Sequence, residues 1–280
     1  MFKQRVIKTL TVRVIAAIVT GMMIGSVVAA EDDTPAVAFS DNYMIRLSSY
    51  FIDTSDTQFS VTSPSSIGTV IDYQRDLGGE SGVDVPRIDA YYRFNPRHRI
   101  DFTAFNIDRT GVRSLIADPP VVINGEDFAG TTVNSDIDYT LYKVGYAYSF
   151  YHSPKVELSL SAGLNIMTYD LKFVNDAGNK AESAGVTAPL PMFGLRMGYA
   201  ITPKWYVHYV AETFFFSYDS TISGSLQNYE LNTEYKLFKN FALGIGIARV
   251  GTSIDVDAND WRGSFSDSYR GFLAFGTLYF

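Results

Sequence analysis

The 280-residue sequence predicts an all-β fold: a transmembrane antiparallel up-and-down β-barrel of about ten strands, with eight or twelve as the alternatives. Three observations predict it. Apolar and polar residues alternate with a period of two along most of the chain. Tight turns alternate with longer polar stretches. Aromatic residues crowd beside the tight turns, where side chains with polar handles suit a membrane interface.

The first element is a leader. Lys3, Arg5, Lys8 and Arg13 form a positive n-region, and Val14 to Val28 is apolar. Val28-Ala29-Ala30 then sets small residues at the −3 and −1 positions before Glu31. This is the anatomy of a secretory signal peptide over 1–30. The rival reading, an uncleaved anchor helix, is disfavoured by a short apolar run diluted with Thr20, Gly21, Gly25 and Ser26. Residues 31–280 are then the exported barrel domain, with 42–280 the barrel proper. The four removed charges are all basic, so 19 basic residues face 30 acidic ones and the exported net charge is −11.

The composition narrows the function. There is no cysteine, hence no disulfide and no thiolate chemistry. A net charge of −7 disfavours nucleic acid as a partner. A mean hydropathy of +0.02 argues against several spanning helices. Three histidines leave little imidazole for catalysis or metal ligation.

After Asp41 no segment reads as a convincing helix. In 156–168, Leu158, Leu160, Ala162, Leu164 and Ile166 alternate with Glu157, Ser159, Ser161, Gly163 and Asn165, so the two rows face opposite sides of a strand. The stretches 226–237 and 241–247 repeat the arrangement. Four turns are tight: 95–98, 152–155, 202–204 and 238–240. Longer polar stretches lie near 110–134, 174–187, 218–224 and 254–265. With the tight turns on the periplasmic side, the expected strands are 42–53, 85–95, 98–110, 135–151, 155–172, 188–202, 205–217, 225–238, 241–253 and 266–280. Residues 55–77 become an extracellular excursion, read as a hairpin of 57–62 and 67–74.

The expected periplasmic aromatic ring comprises Tyr91, Tyr92 and Phe94, then Tyr148, Phe150 and Tyr151, then Trp205 and Tyr206, then Tyr235, Phe238 and Phe241, and Tyr279 and Phe280 at the end. A soluble β-sandwich or lipocalin-like barrel would also alternate. It would not need the aromatic ring, nor glycine and alanine at 145, 147, 163, 194, 198, 244 and 246 in the polar rows.

The final strand, Ser268 to Phe280, places Phe272, Ala274 and Leu278 in one row ending at Phe280, with Gly276 the weak member. It resembles the terminal assembly signal of Gram-negative outer-membrane proteins. The units 189–205 and 234–246 likewise resemble the strand–turn–strand units of small outer-membrane β-barrels of the OmpA and OmpW type. The resemblance spans nearly all of the exported chain. It implies residence in a Gram-negative outer membrane, contact with outer-membrane lipid and lipopolysaccharide, and insertion by the barrel-assembly machinery. It implies no particular activity and no cofactor.

The inward rows carry charges of both signs: Arg46, Arg87, Asp89, Arg93, Arg99, Asp101, Lys143, Glu157, Arg196, Glu212, Glu230, Glu234 and Lys236. The favoured reading is a paired network that plugs a narrow lumen, with a structural or interaction role left to acidic outer loops (Asp118, Glu126, Asp127, Asp176, Glu182). The alternative is a narrow pore for a small solute. A barrel-type hydrolase is a weaker third reading. It would use His208 with Glu212, four residues on and on the same face, but no nucleophile accompanies them. His98 and His152 sit in tight turns and read as solvated. Asp255 to Asp260 begins like a calcium loop, but Asp260 stands where glycine is required and Ser266 where an acid is, so no metal is assigned.

Overall fold

The computed structural model describes residues 39–62, 70–115, 122–123, 126–128, 130–178, 181–218, 222–257 and 262–280; the leader expected over 1–30 lies outside them. Ten strands build the wall: β1 (Tyr43–Thr62), β2 (Val83–Asn95), β3 (His98–Ser114), β4 (Thr132–His152), β5 (Val156–Asn175), β6 (Ala181–Ala200), β7 (Trp205–Tyr218), β8 (Ile222–Phe238), β9 (Phe241–Asp257) and β10 (Arg262–Tyr279). Each pairs antiparallel with its sequence neighbours. β10 returns to pair with β1 from Met44↔Tyr279 to Thr62↔Arg262, which closes the barrel and leaves no first or last edge.

Alternation decides the faces. In β5 the odd residues from Glu157 to Asn175 point inward, while Leu160, Leu164 and Ile166 stand exposed outside. Ile45, Ile100, Val144, Leu195, Leu243, Ile245, Ile247 and Phe272 join them in an exposed apolar belt. Such a belt far exceeds the few hundred Å² a soluble monomer exposes, and its solvent is lipid. Tyr43, Tyr92, Phe94, Phe150, Tyr151, Trp205, Tyr235, Phe238 and Phe280 line its lower margin. Tyr43 stacks on Tyr92 with centroids 4.8 Å apart, and the Trp205 indole N–H donates to Thr233 Oγ1 at 2.6 Å. Three residues assigned to that ring face inward instead. Tyr206 and Tyr279 are buried in the lumen, and Tyr91 lies under the Arg99 guanidinium at 5.1 Å. Proximity to a turn does not fix a side; parity does.

Several strands outrun the expected spans. β1 continues to Thr62, and β6 begins at Ala181 inside a stretch read as loop. The cause is pairing above the lipid: β5 and β6 stay in register from Val174↔Ala181 to Val156↔Tyr199, and Thr168 bonds Thr187 across the pair at 3.1 Å. A strand in water can be polar on its outer face, so polarity alone does not mark its end.

The excursion after β1 also differs. A two-residue strand, Ile71–Asp72, pairs with Gln58 and Phe59, and a short helix follows, α1 (Tyr73–Leu77). The expectation of no helix is therefore corrected. The missed signals are Asp72, whose side chain caps the Arg75 N–H at 2.8 Å, and Gly78, which closes the helix at φ 65°. α1 buries Tyr73 and Leu77 against Phe59, Leu115, Phe128, Val133, Ile137 and Phe173. Gly111 allows this close approach: a Cβ there would stand 2.8 Å from the Leu77 carbonyl oxygen.

The wall parts in two places. Pairing of β2 with β3 stops at Arg87↔Phe105, and the chain after α1 fills the gap through a Gly79↔Gly111 bridge and a Glu80 N–H to Thr110 oxygen bond of 3.1 Å. Pairing of β6 with β7 stops at Phe193↔Thr213, although both strands continue.

Candidate functional site: the barrel lumen

The lumen is the only interior the barrel offers, and the inward parity of each strand decides what fills it. Its periplasmic half holds the thirteen charged residues assigned to the inward rows, and each has an opposite charge within 4.0 Å. Arg46 reaches Glu234 at 2.9 Å and Glu230 at 4.0 Å. Arg87 bridges Asp89 and Glu230, both at 2.8 Å. Arg93 grips Glu157 with two nitrogens, at 2.7 and 3.0 Å. Arg99 pairs with Asp101 at 3.2 Å. Arg196 spans Glu212 at 2.7 Å and Asp101 at 3.6 Å. Glu212 also receives Lys143 at 2.5 Å and the Asn228 amide at 3.0 Å. Lys236 pairs with Asp41 at 3.0 Å, just before β1. Seven cations thus meet seven carboxylates. Around them lies a cavity of about 110 Å³, lined by Arg87, Arg99, Asp101, Glu230 and Asn232 among others.

Phe39 enters this half from below. It adopts φ 63°, sets its ring edge-on to Tyr206 and His208, and occupies the space a side chain at residue 198 would need. The glycine at 198 is thereby explained.

Above the charges the filling changes. Tyr50, Ile52, Val85, Phe105, Ile107, Leu141, Met167, Met192, Leu226, Val250, Leu273 and Phe275 pack into one apolar layer across the barrel. Higher still, Tyr139, Tyr169 and Tyr269 stack at centroid spacings of 4.5 and 5.9 Å. Beside them a second ionic centre, missed in the sequence, is sealed from solvent. Arg109 lies between the Tyr73 and Tyr269 rings, donates to Ser55 Oγ at 3.2 Å and Tyr269 Oη at 3.0 Å, and stands 3.5 Å from Asp267. Asp267 accepts from Thr57 Oγ1 at 2.7 Å and Tyr169 Oη at 3.1 Å. The available signal was a charge beside an apolar stretch of an inward row: Arg109 after Phe105 and Ile107, and Asp267 before Tyr269 and Leu273.

On the cap, burial pushes the Tyr73 phenol up from its ordinary value. The Arg75 side chain, helped by the Asp72 backbone N–H, holds the Asp76 carboxyl below the usual range.

His208 and Glu212 share a face but do not pair. His208 lies 3.2 Å from Glu234, whose carboxylate also takes the Tyr279 hydroxyl, while Glu212 is engaged by Lys143 and Arg196. The spacing was right and the partner wrong, because cross-strand neighbours approach more closely than residues four apart on one strand. His98 and His152 are only half exposed. His98 bonds the Tyr146 hydroxyl and stacks on Phe94, and His152 lies 3.6 Å from Glu157. Among the described residues no cluster of three or more histidine, aspartate or glutamate side chains could hold a metal. Residues 258–260 of the calcium-like stretch, Asp118, and the side chains of Glu126, Asp127 and Glu182 lie outside what the structure describes. Phe272, Ala274 and Leu278 stand on the lipid-facing row of β10, and Phe280, just past its end, is exposed.

Closed walls, an apolar belt and an aromatic margin define the class: an outer-membrane β-barrel of the Gram-negative kind. Three solved structures are similar to this chain in differing degree. The outer-membrane protease OmpT from Escherichia coli superposes with a TM-score of 0.57 at 10% identity, over 88% of this chain and 100% of that one. The transport unit of the autotransporter AIDA-I from Escherichia coli gives 0.39 at 8% identity, covering 95% and 98%. The toluene transporter TodX from Pseudomonas putida gives 0.34 at 8%, covering 89% and 93%. Of these three OmpT alone bears on the fold, and at 10% identity the likeness stops short of that protein's activity. No protein-family profile and no curated protein sequence matches the chain.

Proposed function

We propose that this protein is a non-conducting outer-membrane barrel with a structural or interaction role, exerted through the strands and loops that stand above the lipid. One observation carries the reading: the inward rows set balanced charges below, an apolar layer across the middle and α1 with its cluster on top. A path for ions would have to cross the apolar layer; where that layer meets the charges, a pocket of about 30 Å³ between Phe105, Leu226, Lys143 and Glu212 has room for about two water molecules. In this reading residues 1–30 are a leader removed on export. The lipid-facing row ending in Phe280 is the mark read by the assembly machinery, and lipopolysaccharide is the surrounding outer leaflet. The test is planar-bilayer conductance of residues 31–280, with folding verified by the heat-dependent gel shift of barrels. A folded, silent barrel is expected; reproducible discrete steps would refute the reading.

The 110 Å³ cavity among the lower charges favours a second reading, a narrow pathway for a small solute. It requires Arg196→Ala or Glu230→Ala to shift ion selectivity. Identical reversal potentials in both variants would eliminate it.

A further inference from the structure

The two partings of the wall are not alike. The one between β2 and β3 is filled by the chain that follows α1. The one between β6 and β7 is not. Above Phe193↔Thr213, β6 continues from Met192 to Ala181 paired with β5 alone, and β7 continues to Tyr218 paired with β8 alone. Among the described residues no backbone hydrogen bond joins 188–192 to 214–218.

The sequence builds this notch. Pro189 and Pro191 lie on β6, and successive backbone N–H groups of a strand point to opposite neighbours. The β5–β6 ladder runs unbroken through both prolines, opposite Ile166 and Leu164. The two missing donors are therefore those that would face β7. Proline is confined to edge strands because it cannot feed a ladder; here it creates an edge within a closed barrel.

The height of the notch matters. From Ala200 to Phe193 a tilted strand climbs about 18 Å, within an apolar band about 25 Å tall. On β5 the outward row changes from Leu164 and Ile166 to Thr168, Asp170 and Lys172, and Ile166 pairs with Pro189. The notch thus opens just below the outer margin of the lipid band. An open sheet edge in hydrocarbon leaves backbone groups unsatisfied, and two prolines remove two of the donors.

Its walls are Leu190, Met192, Phe193, Phe214, Phe215 and Phe216. Phe193 and Phe215 are the most lipid-exposed, at 58% and 64%. Phe214 and Phe216 stack on the inner side, with Phe216 over Gly224 of β8. Leu190 and Phe214 pack against the apolar layer of the lumen, so lipid and layer meet through the notch. At its base the Thr213 hydroxyl has no hydrogen-bond partner.

We propose that the β6–β7 notch is a lateral binding site for one hydrocarbon chain of an outer-leaflet amphiphile. The chain lies between Phe193 and Phe215 with its end against Phe214 and Phe216. An alkyl chain suits the site because its walls are apolar, it opens into the acyl region, and the absent donors leave no ladder for a protein strand to complete at 189 and 191. The site needs no passage through the barrel, so it stands apart from the conductance reading.

The experiment is quenching by phosphatidylcholine vesicles with brominated acyl chains. Trp205 and Trp261 are replaced by phenylalanine, and one tryptophan is returned in place of Phe215 (outward), Phe216 (inner side of the notch) or Phe105 (inward, away from it). The expected result is that F216W is quenched nearly as strongly as F215W and several-fold more than F105W. Adding Pro189→Val and Pro191→Val, which restore both donors, should protect F216W and leave F215W unchanged. Quenching of F216W no greater than F105W would overturn the proposal, as would quenching indifferent to the valines. F214W reports the same inner side should F216W fail the gel-shift test of folding.

Discussion

Below Thr103 and Asn165 the lumen is a lattice of arginines, lysines and carboxylates; above them it is an apolar layer stitched to tyrosines and a five-residue helix. Both halves are filled, but they resist different things. An ionic lattice is held by specific pairs. Removing one member strands its partner, yet water can still enter beside the charges, and a cavity of about 110 Å³ remains there. The apolar layer depends on volume rather than on pairing, and it excludes water. The lower half therefore carries most of the sensitivity to single charge changes. In the proposed reading the upper half carries the seal.

Four substitutions or conditions probe that division, from the largest effect to the smallest. Glu212→Leu leaves Lys143 and Arg196 without their shared carboxylate, and the expected loss is about 3–5 kcal/mol, read as a lower midpoint of urea unfolding in vesicles. A loss below 1 kcal/mol would mean that water already screens the lattice. Leu160→Arg puts a charge into the lipid belt near mid-height, at about 2–4 kcal/mol, and should impair assembly more than Ser161→Arg, which points inward. The reverse ranking would invert the assignment of faces. Tyr73→Phe removes the bond from the phenol to the Arg109 carbonyl (3.2 Å) and should cost about 0.5–1.5 kcal/mol, seen as faster hydrogen exchange over 73–79 with the belt strands unaffected. The smallest effect is on the cap in acid. The Asp76 carboxyl titrates below its unfolded value, so its contribution is present above the ordinary carboxylate range and is lost as pH falls through the lowered one. Protection factors over 72–78, after correction for the intrinsic pH dependence of amide exchange, should fall on going from pH 5 to pH 3, and Asp76→Asn should remove that fall.

Much of the fold was legible because a barrel strand writes its two faces directly into sequence parity. All ten strands, their order and their tight turns follow from that period and from Pro96, Pro154 and Pro203. Strand ends above the lipid were not legible. There the outward face of β1 and β6 meets water rather than lipid, and Ser183 or Gln58 suits a loop as well as a strand. The thirteen lower charges were readable one by one as inward residues. Their pairing was not, since it depends on shear between strands far apart in sequence; Arg46 and Glu234 are 188 residues apart. The upper seal was the least visible. Tyr50, Phe105 and Leu226 look like lipid-facing apolar residues until parity is followed strand by strand, and Arg109 with Asp267 makes sense only once Tyr269 and Tyr73 are in place.

In the proposed reading the apolar layer closes the barrel. Single-channel recording of folded residues 31–280 tests it most directly. Protein that passes the gel-shift test should show no discrete conductance, whereas Leu226→Gly/Met167→Gly, which opens the layer without touching a charge, should conduct in steps. Discrete steps from the unaltered protein would contradict it.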